Sequence, residues 1–170
     1  MEQEVTPLQV GIKYGIMVGL GSVILHLILF ITHIYVENPY IAYLDNLIML
    51  LGLILACSAF RKGFYNTMTF KQGIMVGFWT ILTSSLITAT FIFIYIEFDK
   101  DLLEGLRSQE MLDLASQKLP EAQFDAIMKR MDTLMSPWFI AFVRLARGLG
   151  IGIVLSAIVA TVMKKDAATS

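Results

Sequence analysis

Apolar residues in this chain fall into four long blocks, and a polar stretch of different texture separates the third block from the fourth. The blocks run from Ile12 to Tyr35, from Ile41 to Phe60, from Gln72 to Ile96 and from Pro137 to Met163. A helix needs about 20 apolar residues to cross a hydrocarbon core of about 30 Å, and each block is that long. Lipid offers no partner to open backbone groups, and the blocks lack the alternation of a barrel strand. The pattern predicts an all-α membrane protein. Its single domain, residues 1–170, is a bundle of four transmembrane helices at about 12–35, 41–60, 72–96 and 137–163, with a helical loop over 97–136.

The short connections carry turn and stop signals. Asn38-Pro39 turns the chain after the first span, Arg61-Lys62-Gly63 ends the second, and Lys164-Lys165 ends the fourth. Basic residues therefore flank the spans near the N-terminus (Lys13), in the second loop as far as Lys71, and at the C-terminus. The first loop holds Glu37 and no Lys or Arg. The positive-inside rule then puts both termini and the second loop in the cytoplasm and the long third loop outside. Glu2 and Glu4 stand where a cleaved signal would carry basic residues, so the first block is expected to be a retained span.

The third loop has its own periodicity. Leu102, Leu103, Leu106, Leu112 and Leu114 mark one rough stripe; Phe124, Ile127, Met128, Met131, Leu134 and Met135 mark a cleaner one at helical spacing. Pro120 and Glu121 suit the first turn of that second helix. The expected form is a helical hairpin, its apolar faces packed on each other or laid on the outer membrane surface.

Small residues recur at four-residue steps within the spans: Gly11, Gly15 and Gly19; Gly73 and Gly77; Gly148, Gly152, Ser156 and Ala160. Such stripes let helices approach closely in lipid, either inside one chain or between copies. The four-span bundle itself is the favoured consumer of them. Gly-Ile-Met-Val-Gly occurs at both 15–19 and 73–77. Coincidence in an apolar alphabet explains this better than duplication of a hairpin, since the second and fourth spans share no matching identity.

Composition changes little. The net charge is -1, which points away from nucleic acid. Cys57, within a span, reads as a small apolar packing residue. No cofactor motif, metal-ligand spacing, nucleophile–base pair or phosphate loop is visible, so no cofactor and no enzymatic activity are expected.

The candidate chemistry lies in ionisable residues at membrane depth. Counting back from Lys164 at 1.5 Å per residue puts Arg144 near the outer boundary and Arg147 about one turn inside it. Asp45 comes to similar depth, and His33 and Glu97 end their spans on the same side. His26 is the deepest titratable group. The candidate polar cluster is thus His26, His33, Asp45, Glu97, Arg144 and Arg147. Structural pairing or snorkelling of the arginines is favoured over a transport role. Asp45 and Arg147, opposite in sign and matched in depth, are the expected pair.

Tyr14-Gly15 and Gly19, Thr69-Phe70 with Gly73 and Gly77, Tyr95 before Glu97-Phe98-Asp99, and Met135-Ser136-Pro137 before the last span resemble the domain of unknown function 4199 family of small bacterial inner-membrane proteins. The resemblance implies four spans and a bacterial envelope location. It carries no activity and no functional residues. The expected function is that of a non-catalytic structural or interaction protein in the lipid bilayer, packing with itself as a homo-oligomer or with another membrane protein. The alternative is a small transporter or channel subunit using His26, Asp45, Arg144 and Arg147.

Overall fold

The computed structural model describes residues 5–32, 42–117 and 120–165. Within them the chain forms six helices: α1 (Pro7–Ile31), α2 (Ala42–Gly63), α3 (Phe70–Phe98), α4 (Lys100–Ser116), α5 (Glu121–Leu134) and α6 (Pro137–Met163). Four of these, α1, α2, α3 and α6, are long and apolar enough to cross a membrane.

Two helices begin earlier than hydropathy suggests, and the cause is local. Thr6 caps α1: its Oγ1 accepts from Gln9 N at 3.3 Å, while Gln9 Oε1 accepts from Thr6 N at 3.3 Å. Pro7 supplies the first helical position. Thr69 and Gln72 build the same reciprocal cap at the start of α3, at 2.9 and 3.3 Å. Gln9, Lys13 and Lys71 lower the hydropathy of these first turns and hide them from a search for apolar runs. At its far end α2 continues through Arg61-Lys62 to Gly63, and Arg61 Nη1 donates to Met163 O at 3.4 Å.

The bundle is organised around α3, which packs most extensively on α1 and α6, while α2 touches all three. Glycine makes both main interfaces possible. A Cβ on Gly15 would stand 2.6 Å from Thr83 Cβ and 2.8 Å from Thr80 O, and one on Gly19 would stand 3.0 Å from Ile87 Cβ. On the other side of α3 the partners run antiparallel: Gly73 against Ala160, Gly77 against Ser156, Ile81 against Gly152, and Ser85 against Gly148. The three predicted stripes are therefore used within the chain. The repeated pentapeptide is not structurally equivalent either. Gly15 and Gly19 face α3, whereas Gly73 and Gly77 face α6, and the motif starts nine residues after the Thr6 cap but four after the Thr69 cap. That asymmetry favours coincidence over duplication.

One end of the bundle is closed by backbone contacts. Tyr65 and Asn66 adopt left-handed conformations (φ 48° and 55°), which folds the second loop back on itself. Met68 is then fully buried and exchanges two 2.8 Å backbone hydrogen bonds with Lys165. Val5 packs over Gly63 at the same end. The start of α1, the second loop and the end of α6 thus lie together.

At the opposite end, Asp99 caps α4 by accepting from Leu102 N at 3.0 Å. Leu102 packs on Phe30, Ile92 and Ile96. The ion pair of Arg107 with Asp132 links α4 to α5, while α4 also touches α3 and α5 touches α6. Leucines near the start of α4 find a ready apolar surface at the ends of α1 and α3. Met131 is buried on α5, while Gln123 and Lys129 are exposed. Large apolar residues such as Leu20, Leu55, Ile94 and Val154 remain exposed on the spans, as a lipid-facing surface requires. Phe98, Trp138 and Tyr43 are exposed at one end of the spans, and Tyr65 and Phe70 at the other, where aromatic residues suit a membrane interface.

Candidate functional site

Two buried hydroxyls of the spans are satisfied by their own helix. Thr80 Oγ1 donates to Val76 O at 2.8 Å and Ser84 Oγ to Ile81 O at 3.1 Å. Ser85 and Ser156 differ: neither Oγ has a hydrogen-bond partner in the structure. Ser85, 7% exposed, lines a cavity of about 40 Å³ bordered by all four spans. Since one water needs roughly 10–15 Å³, this space takes a few waters or a small polar group.

The cavity wall is chemically mixed. Asp45 comes from α2, Ser22 from α1, Ser85 and Thr88 from α3, and Arg144 and Arg147 from α6. Asp45 Oδ1 is buried and, like Ser85 Oγ, has no hydrogen-bond partner. Burying such atoms without partners costs free energy, so they mark a place where a polar guest is favoured.

Arg147 precedes Gly148, which meets Ser85 near the midpoint of the 29-residue α3. Arg147 is exposed, which puts it at the cavity rim.

The cavity brings Asp45, Arg144 and Arg147 together. It does not produce the expected Asp45–Arg147 pair: among the described residues the ion pairs are Lys100–Glu97 and Arg107–Asp132. Asp45 starts α2 and Arg147 follows three turns of α6, so the two face one space from different walls. Glu97 is half-exposed and bonded to Lys100 at 3.1 Å, away from the cavity. His26 is buried with Nδ1 2.8 Å from Ser22 O, its ring edge-on to Phe30 at 5.8 Å. His33 lies outside the described residues, as does Asn38-Pro39.

Sequence reasoning passed over the α3 hydroxyls. The signal was present: Thr80, Thr83, Ser84, Ser85 and Thr88 interrupt an otherwise apolar span. Among the described residues no group of three or more His, Cys, Asp or Glu side chains is placed to hold a metal ion.

No curated protein and no solved structure matches the chain. A family model does match, over residues 13–165, which takes in most of α1, the other three spans, the cavity and both extramembrane helices. By that match the chain belongs to the family described as protein of unknown function (DUF4199).

Proposed function

We propose that this chain is a non-catalytic, multi-pass protein of a bacterial inner membrane, with both termini cytoplasmic, that binds a small anion in the cavity between its spans. The observation that carries this reading is that Arg144, Arg147 and the unpartnered Ser85 hydroxyl line one space between the four spans. An arginine within a span is expensive in lipid and becomes tolerable when it faces a polar guest. Guanidinium groups present planar donors that suit oxyanions. Orientation rests on Arg61, Lys62, Lys71, Lys164 and Lys165, which gather at the end where Met68 meets Lys165.

Saturation-transfer NMR tests the anion site, using acetate and the full chain in lipid nanodiscs. Transfer to acetate, weakened at least tenfold by Arg147→Gln, is the expected result. No transfer, or transfer unchanged by that substitution, removes the reading.

A second reading, packing with another copy or another membrane protein, draws on Met111 and Leu112. Both are exposed on α4, outside the spans. A single-copy mass in nanodiscs and no co-purifying membrane protein would argue against it.

A further inference from the structure

The polar cavity has an apolar neighbour. A crevice of about 180 Å³ lies toward the α4 end of the bundle, lined by Phe30, Ile92 and Ile96 from the spans, Leu106 from α4 and Ile140 from α6. Arg144 lines both spaces. On α6 the order is Ile140, Arg144, Arg147: crevice, junction, cavity. Those positions share one helical face, and about 10 Å of rise separates the first from the last.

Resting on the anion-binding reading above, we infer that the guest is an amphiphilic monocarboxylate, a medium-chain fatty acid by chemical class. Its carboxylate sits at Arg147 and Ser85, and its alkyl chain passes Arg144 into the crevice beneath α4. Four features select this class. Arg147 offers paired N–H donors that match a carboxylate. Ser85, buried and with its Oγ lacking a hydrogen-bond partner, lines the same space and carries a further donor. The small polar volume accommodates a carboxylate, and Asp45 offsets one of the two arginines on the lining, leaving one positive charge for one negative guest, which disfavours dicarboxylates and phosphates. The crevice supplies apolar walls, and Glu110 at its exposed edge repels a carboxylate left there, so the head points inward.

The test uses the full chain in phosphatidylcholine nanodiscs. Octanoate carrying a diazirine on its terminal carbon is the photolabel, and adducts are mapped by mass spectrometry. Expected adducts fall on Phe30, Ile92, Leu106 and Ile140. Excess unlabelled octanoate abolishes them, octylamine leaves them intact, and Arg147→Gln lowers them at least tenfold. Octanoate also displaces acetate at a concentration at least tenfold below that at which acetate competes with itself, and succinate binds no better than acetate. Labelling spread over lipid-facing Leu20, Leu55 and Val154, without competition, overturns the proposal through simple partitioning. Equal affinity for acetate and octanoate also overturns it while the anion site stands, as does tighter binding of succinate. Failure of acetate and octanoate alike removes the anion-binding reading itself. The adduct map needs no substituted protein, so misfolding of a variant does not blunt it.

Discussion

Gly77 and Ser156 meet so closely where α3 crosses α6 that a Cβ on the glycine would stand 2.7 Å from Ser156 Cβ. That contact is the middle of a ladder running from Gly73–Ala160 to Ser85–Gly148. It sets the register on which the depth of Arg147 and the shape of the cavity depend.

Replacing Gly77 by valine should therefore cost about 1–3 kcal/mol, the range for overpacked cores. Gly15→Val should do the same at the α1–α3 interface, where Thr83 leaves no room. Gly150 is the control: a Cβ there meets nothing within 4 Å, so Gly150→Ala should be neutral or gain up to about 1 kcal/mol in helix propensity. Unfolding in mixed micelles, followed by circular dichroism, checks all three. Equal losses at Gly77 and Gly150 would contradict the ladder.

Ser85→Ala removes a buried hydroxyl that has no hydrogen-bond partner. Deleting such a group forfeits no bond, so stability should stay within about 1 kcal/mol of the parent. Acetate binding should nevertheless weaken several-fold. A loss of stability without a loss of binding would make Ser85 a packing residue only.

The apolar face of α5 gives a third expectation. Met131 is 1% exposed, and Met131→Ala should cost about 2–5 kcal/mol, as buried methionine truncations do. Lys129→Ala, on the exposed face, should stay within about 0.5 kcal/mol. Similar effects at both positions would mean that α5 does not use this face.

Orientation is checked by single cysteines on a Cys57→Ala background. An impermeant thiol reagent should label Ser108→Cys in intact cells, and label Asn66→Cys only after the inner membrane is opened. The reverse order would invert the protein.

The spans were legible because lipid imposes a minimum apolar length, and no soluble fold mimics four such blocks. Glycine stripes were legible as close contacts, although only the coordinates show that Gly19 chooses Ile87 and Gly152 chooses Ile81. The cavity was half legible. Charge at depth pointed to Asp45, Arg144 and Arg147, but which walls they occupy depends on helix neighbours, and a linear sequence leaves these open. Ser85 was missed because a serine in a span usually bonds its own backbone, as Ser84 does. Periodicity shows that Leu102 needs an apolar partner without showing that the ends of α1 and α3 provide it.

The central place of α3 also bears on the order in which the bundle is assembled. Helices leave the ribosome in sequence, yet the glycine face of α1 is shaped for α3 rather than for α2. During synthesis that face waits, uncovered, while α2 is inserted beside it. Only the third crossing closes it, and only the sixth helix closes the other side of α3. A nascent chain halted after α2 would thus hold the glycine face of α1 without its partner, the closest packing of the bundle still unmade.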